Sequence, residues 1–349
     1  MITGLKISIS ILKSYVKSIV RSIYNGQYYN GVEFYNVKNI FISKTTVIEK
    51  GTRILANYAS VDFKNICVNN DCWIGRDVEI HTVYNSNVTI DDNVSIQDRC
   101  KIIGDVFIGQ NTLLAPDVFL SSGNHYFKYK PYLLIKEQDK LVVKNADDFK
   151  ITSNKIFVGE DCWIGKNVMV SNGVVIGRGA VVAANSFVNK NIPPYEIWGG
   201  TPAKKINKRL DFKPLEELDP RKEFHLPYFY FGFDHKNINT NGILSKNRSI
   251  CILDNILDKK SLLFNLEILA EGKLKIFFNQ NLIFNDKVQI SSFEKTLKVT
   301  NCERLNLKNS QCSGILPQDI LEYNLVEFEF LPNLLGVIHG FTILKIKSI

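Results

Sequence analysis

An aliphatic residue that returns at every sixth position is the feature that most narrows what this chain can fold into. From residue 158 the series runs Val158, Ile164, Val170, Ile176, Val182, Val188. An earlier run, Ile90, Ile96, Ile102, Ile108, Leu114, Leu120, obeys the same rule, and Val68, Ile74, Ile80 form a shorter third. The position after the aliphatic is usually small or polar (Gly159, Gly165, Ser171, Gly177), and the fifth of each hexad is compact (Cys162, Val168, Val174, Ala180). Neither a helix nor an alternating strand has this period. Six residues suffice for one short strand and one tight turn, so the aliphatic comes back to the interior once per side of a wound ribbon. Three sides close a coil of about 18 residues. The three runs make about five coils, and residues 40–66 add one or two irregular ones below.

The same grid disposes of two tempting alternatives. Gly173, Gly177 and Gly179 resemble a phosphate-cradling loop, yet they sit on the hexad register with no helix following, so they are turn glycines and not a dinucleotide fingerprint. The near-duplicate segments Asp71–Gly75 and Asp161–Gly165 are read as sharing an origin without stacking, because the inserts between them break the register. Seven cysteines without any C-x-x-C pair argue against a disulfide framework or a structural zinc, and for a reducing cytoplasm. Cys72, Cys100 and Cys162 hold the compact inward position, where a thiol is inert filling rather than a nucleophile.

Charge points to an anionic partner. The net +8 lies wholly in residues 1–209, which hold 26 Lys+Arg against 18 Asp+Glu, while residues 210–349 hold 17 against 17. No basic stripe interleaved with aromatics and no nucleic-acid module accompanies it, so nucleic acid is set aside in favour of a phosphorylated small molecule.

Between Leu120 and Val158 the rule fails for almost forty residues, and a loop of that length extruded from a solenoid is usually functional. Loop 121–157 opens on Ser121-Ser-Gly-Asn-His125. With Ala115-Pro-Asp-Val-Phe-Leu before it, Val158-Gly-Glu-Asp-Cys-Trp-Ile-Gly165 after it and Gly199-Gly-Thr-Pro-Ala-Lys204 beyond, residues 60–209 resemble the hexapeptide-repeat acyltransferases, of the type that acetylates sugar hydroxyls from acetyl-CoA. The resemblance implies an all-β fold, a left-handed parallel β-helix, and a homotrimer with active sites between neighbouring prisms. Handedness comes from the resemblance alone, since the usual crossover preference is right-handed.

The chemistry needs one imidazole. A sugar hydroxyl is a weak nucleophile, a thioester is already activated, and a histidine can take the proton as the hydroxyl attacks. His125, at the mouth of the loop, is the candidate base, with Glu137 or Asp139 as groups that could orient its ring. His81 is the weaker candidate, read as solvent-side. A zinc hydratase would need three clustered histidines where the repeats offer two, so no metal is expected. For acetyl-CoA as co-substrate the resemblance implies Trp163 beside the pantetheine arm, room along Ala183 and Ala184, and further contacts at Lys166, Asn189, Lys190 and Lys204. Lys205 and Arg209 extend that basic cluster toward the phosphates, unless the segment is a solvated basic helix. Asn85, Asn124, Tyr126 and Phe127 are candidate acceptor contacts.

At the amino end, Leu5, Ile9, Leu12, Val16, Ile19 and Ile23 recur at helical spacing among Lys6, Lys13, Lys17 and Arg21. Residues 1–39 are therefore expected to be helical, packed on the protein or resting on a membrane surface from the cytoplasmic side. Residues 40–209 form the β-helix. After a proline-bearing linker, residues 210–349 show period-two strands that predict an antiparallel β-sandwich, a candidate holder of the acceptor; the run Tyr228–Phe233 serves its core or stacks on sugar rings. The functions compatible with this reading are an O-acetyltransferase of a bacterial surface polysaccharide or its precursor, an N-acetyltransferase of a nucleotide-linked amino sugar, and a catalytically silent glycan-binding scaffold.

Overall fold

A computed structural model describes residues 23–24, 27–56, 65–83, 86–144, 154–236, 238, 242–254, 261–298, 324–333 and 339–348. The expected amino-terminal helix, residues 5–22 of that pattern, lies outside the described residues. The chain divides into two compact units, Met1–Arg209 and Leu210–Ile349.

In the first unit the hexad aliphatics build three parallel sheets. On the first face Ile42, Val68, Ile90, Ile108, Val158 and Ile176 stand in one inward column, each on the strand beside the last. The second face carries Ile48, Ile74, Ile96, Leu114, Ile164 and Val182, and the third Phe34, Ile54, Ile80, Ile102, Leu120, Val170 and Val188. These columns and the compact fifth residues close one continuous core in which most members are fully buried. A three-sided parallel coil is thus what the period of six produces. It begins at Glu33–Tyr35, which pairs with Arg53–Leu55, so the coil starts ahead of residue 40; the described residues between 23 and 35 hold short strands where helix was expected, and Val37–Asn39 makes a single 3-10 turn.

The corners explain the small and polar positions. Asn93, Asn111, Asp161, Asn167 and Asn185 all turn with φ between 56° and 62°, the left-handed region that Asn and Asp tolerate. Gly177 is needed for a different reason: a Cβ there would sit 2.6 Å from the Pro194 nitrogen of the next coil.

The inserts leave the register intact because they all emerge at one corner, between the third face and the first. Residues 56–65, 82–87 and 122–155 each follow a third-face strand and precede a first-face strand. In consequence Trp73 and Trp163 occupy the same outward column of the second face, through Ser95 and Leu113. The two near-duplicate segments are therefore equivalent by position as well as by sequence, contrary to the expectation that their registers differ. Insert 122–155 is not wholly irregular either, since Ile135–Lys144 forms a helix, α1.

The second unit is antiparallel. Seven of its nine described strands follow one hydrogen-bonded order: Asn281–Val288, Gly272–Phe278, Asn324–Pro332, Ile243–Leu253, His339–Ser348, Ser261–Ile268, Ser291–Lys298; off that path Glu217–Leu218 pairs with His339–Ser348 and Phe229–Phe233 with Ile243–Leu253. Phe264 and Phe328, three strands apart in that order, meet at 5.9 Å, and Phe284 and Phe293, on the two outermost strands, meet at 5.4 Å. The sheet therefore doubles over and packs its apolar face against itself, which realises the antiparallel face-to-face packing of the expected sandwich within one hydrogen-bonded sheet. Tyr228, Phe229, Tyr230 and Phe233 are buried in this unit, which resolves the aromatic run as packing and not as a sugar platform.

Candidate active site

Three short residues carry the chain from the last third-face strand before the break, Phe119–Ser121, to His125. The turn is held at its root by Ser122, whose hydroxyl accepts the Asp105 amide at 2.6 Å, and at its tip by Asn124, whose Oδ1 accepts the His125 amide at 2.9 Å. The imidazole itself is 79% exposed.

Its partner comes from α1. Asp139 Oδ2 lies 2.8 Å from His125 Nδ1, and Oδ1 accepts the Tyr126 amide at 2.9 Å. The Tyr126 N–H, and after it the His125 ring, hold the Asp139 carboxyl below the usual carboxylate range, outweighing its partial burial. An ionised carboxylate only accepts, so Nδ1 is the donor in this contact, and a neutral ring held this way presents its lone pair at Nε2, away from the carboxylate. This is the arrangement a general base requires, and it selects Asp139 over Glu137 as the orienting group. The helix that supplies Asp139 is seated by Gln138 and Val142, both 1% exposed. Gln138 Oε1 accepts the Lys130 amide at 2.9 Å and its amide donates to the Leu133 carbonyl at 3.0 Å, which ties the intervening loop to the helix.

The other expected site residues fall at two edges of the third face. Lys166, Ala183 and Ala184 share its corner with the second face on adjacent coils, where the Asn185 amide donates to the Lys166 carbonyl at 2.8 Å. Trp163, 55% exposed, stands on the second face next to that corner. Asn189 and Lys190 are exposed at the opposite corner, the one from which the His125 loop emerges two coils below. Between the edges run Phe119, Met169 and Phe187, an outward apolar column that the hexad reading did not single out. Tyr126 is half-buried and Phe127 is exposed with the Lys128 ammonium 5.5 Å from its ring centre. Asn85 lies outside the described residues.

The basic segment is not a helix. Ala203–Lys208 is a strand antiparallel to Glu196–Gly200, with Gly199 opposite Lys204 and Trp198 opposite Lys205. Lys205 is ion-paired with Glu196. Arg209 donates to the Gly179 carbonyl at 2.9 Å, reaches Asp161 Oδ2 at 3.2 Å and lies 5.9 Å from the Tyr195 ring centre, so it latches the end of the strand to the coil. Lys166 also has an acid within reach, Asp117 at 3.8 Å. Lys190 and Lys204 are exposed and form no ion pair among the described residues.

His81 stands at the outward position beside inward Ile80, as expected, but is half-buried with Nε2 enclosed, and burial pushes its pKa below the usual histidine value. Burial pushes the Cys72 and Cys100 thiols up to about 11 and Cys162 up to about 12, which holds them as thiols at neutral pH. Among the described residues no group of His, Cys, Asp and Glu is arranged to hold a metal ion, and no helix is long and apolar enough to cross a membrane.

Comparison with known proteins finds a family model on the upper coils and curated relatives over longer stretches. Residues 155–190 match the family model of the bacterial transferase hexapeptide (six repeats). The chain is 36% identical over 121 residues to WbbJ of Escherichia coli (strain K12), whose name describes a lipopolysaccharide biosynthesis O-acetyl transferase; the stretch covers 34% of this chain and 58% of that protein. It is 38% identical over 105 residues to a chloramphenicol acetyltransferase of Klebsiella aerogenes, covering 29% of this chain and 49% of that one. The chain thus spans about half the length of the curated relatives it matches. Among solved structures, a maltose O-acetyltransferase from Clostridium difficile 630 aligns at 20% identity and a TM-score of 0.31, over 50% of this chain and 72% of that one.

Proposed function

We propose that this hexapeptide-repeat chain is an acyltransferase that moves an acetyl group from acetyl-CoA to a saccharide hydroxyl, with His125 as general base and Asp139 as the residue that orients it. The observation that carries the reading is the Asp139–His125–Tyr126 clamp, built at the longest of the three inserts in the coil. Acetyl-CoA as co-substrate would bring an activated acyl thioester.

The residues divide the work. His125 Nε2 takes the proton of the acceptor hydroxyl while that oxygen bonds to the thioester carbonyl carbon. Asp139 stabilises the imidazolium that results, in the way a carboxylate behind a catalytic imidazole does elsewhere. When the C–S bond breaks, the sulfur leaves with the bonding electrons and the imidazolium returns the proton to it, so the enzyme ends as it began. The exposed ring of Trp163 and the small side chains of Ala183 and Ala184 suit a slender apolar arm, and Lys190 and Lys204 suit phosphates. Trp163, Lys166 and Ala184 flank one edge of the third face while His125, Asn189 and Lys190 flank the other, a division that favours sites completed between copies in a trimer. The acceptor is read as a bacterial surface polysaccharide or its precursor.

Release of thiol from acetyl-CoA, measured with a thiol reagent against polysaccharide, amino-sugar and no-acceptor samples, tests the reading. Turnover should require a saccharide hydroxyl. His125→Ala should lower it by about 100-fold or more, and Asp139→Asn by roughly 10- to 100-fold, both with CoA affinity retained. Near-normal turnover in His125→Ala overturns the assignment, as does a strict preference for amines.

A further inference from the structure

We propose that the segment Phe127–Lys136, which joins His125 to its orienting helix, docks on an anionic lipid surface, so that the acceptor reaching His125 is a saccharide displayed at a membrane. The inference rests on the reading of His125 as the base and adds where its acceptor is held.

The segment presents to water side chains that a folded domain ordinarily hides. Tyr132 is 79% exposed, Leu134 70% and Ile135 51%, with Phe127 at 46% and Tyr129 at 41%. They have not merely failed to find a core. Gln138, buried beneath them, bonds the backbone on both sides, at Lys130 and Leu133, and holds the loop in a shape that turns these groups outward. Phenol rings on an apolar body suit the boundary between headgroups and acyl chains, and two adjacent aliphatics add apolar area at about 25 cal/mol per Å² removed from water.

Charge gives the surface its sign. From Val118 to Lys136 there is no acid, and Lys128, Lys130 and Lys136 stand among the exposed apolar groups. The Lys128 and Lys130 ammonium groups each lie 5.5 Å from a neighbouring ring centre, Phe127 and Tyr129, so cation and ring form one surface. Near an anionic leaflet each such cation strengthens binding by roughly fivefold. A sugar could stack on the rings but gains nothing from Leu134 and Ile135, which neither stack nor hydrogen-bond; a lipid surface uses all of them. Residues 5–23 repeat the texture, with aliphatics at helical spacing among Lys6, Lys13, Lys17 and Arg21 and no acid before Glu33. A single loop of this size binds weakly, and stable attachment takes two such signals.

Co-sedimentation of the full chain with vesicles is the test. The protein should partition onto vesicles of phosphatidylcholine with one-third phosphatidylglycerol and not onto phosphatidylcholine alone. Lys128→Glu/Lys130→Glu/Lys136→Glu should weaken partitioning by about 100-fold and Tyr132→Ser/Leu134→Ser by about 10-fold, with unchanged melting and with turnover on a short soluble saccharide within twofold of the parent. Three results overturn the proposal. Both variants partition like the parent, or no partitioning occurs at all. Tyr132→Ser/Leu134→Ser lowers the mass of the particle in sedimentation, which assigns the flap to a second copy of this chain. Turnover on the soluble saccharide collapses in these variants, which makes the flap an acceptor site. Failure of His125→Ala to affect turnover on any acceptor speaks to the catalytic reading and is separate from all three.

Discussion

The coil and the C-terminal sheet both alternate inward and outward residues, yet they encode their contacts differently. In the coil, Ile164 lies between Leu114 and Val182, and its neighbour above is the next residue of the same phase on the same face. The period therefore names the strand and its partner at once. In the sheet, Phe328 lies between Ser249 and Ile276, strands that sequence order does not make adjacent, and the Arg248–Glu327 ion pair spans 79 residues. Alternation there names strands and leaves their order open. Contacts that recur locally can form and be lost coil by coil, whereas a sheet of long-range pairings stands or falls together.

The largest expected effect exploits that difference. Phe328 is fully buried and touches both Phe264 and Phe341, at 5.9 and 5.3 Å, so it ties together strands from three parts of the second unit. Phe328→Ala should cost about 3 to 5 kcal/mol, the range for a large core aromatic. In hydrogen exchange the loss should appear across all strands of residues 243–348 that pair. Ile164→Ala in the coil, also fully buried, should instead open amides mainly on its own coil and the two beside it. Uniform loss over the entire coil in Ile164→Ala would erase the distinction.

How far each region could be read follows from the same physics. The hexad register fixes the inward columns, the three faces and the inert cysteines, because each is a local consequence of period six. The rolling of the second sheet is not local: nothing in the sequence around Phe284 or Phe293 states that the outermost strands will meet. At the candidate site, His125 is legible from the break in the repeat and Asp139 as one of two acids that could orient it; the choice between Glu137 and Asp139 needs the fold of α1, which brings Asp139 to 2.8 Å from the ring. The run at 204–209 was legible as charge and not as structure, since four cations in six residues fit a helix or an edge strand equally; pairing with Glu196–Gly200 decided it. The equivalence of Trp73 and Trp163 was hidden by inserts whose shared corner the sequence does not mark.

A smaller effect sharpens the claim that the coil is specified turn by turn. A Cβ on Gly177 would meet the backbone at 2.6 Å from Pro194 nitrogen and 3.0 Å from Ile192 oxygen, atoms that cannot swing aside. A Cβ on Gly123 would meet nothing closer than the Ser121 hydroxyl at 3.9 Å. Gly177→Ala should therefore destabilise by about 2 kcal/mol through overpacking, while Gly123→Ala should be neutral or gain a few tenths, roughly 0.4 kcal/mol, from a stiffer unfolded chain. Denaturant midpoints at matched slopes measure both. Equal effects would mean that coil spacing, and not the insert corner, is the tolerant part.

The smallest expected effect concerns the outward column of the third face, where the coil looks most like an ordinary sheet. Below the apolar stretch it reads Glu33, Arg53, Glu79, Lys101, with Arg53 3.4 Å from Glu33 and 3.0 Å from Glu79, and Lys101 3.2 Å from Glu79. Burial acts to raise the Glu79 carboxyl, and its bonds to Lys101 and then Arg53 outweigh that and hold it below the usual range of 4.5. Because the folded value is the lower one, its contribution is complete above the unfolded value and fades as pH falls through the folded value. Exposed pairs of this kind are worth about 0.2 to 1 kcal/mol, so Glu79→Gln should cost less than about 1 kcal/mol at neutral pH. The difference from the parent should shrink toward zero in roughly 1 M salt, where screening acts within about 3 Å. A penalty that survives both salt and acid would show that Glu79 acts through shape and packing, and the coil's exterior would then be as tightly specified as its interior.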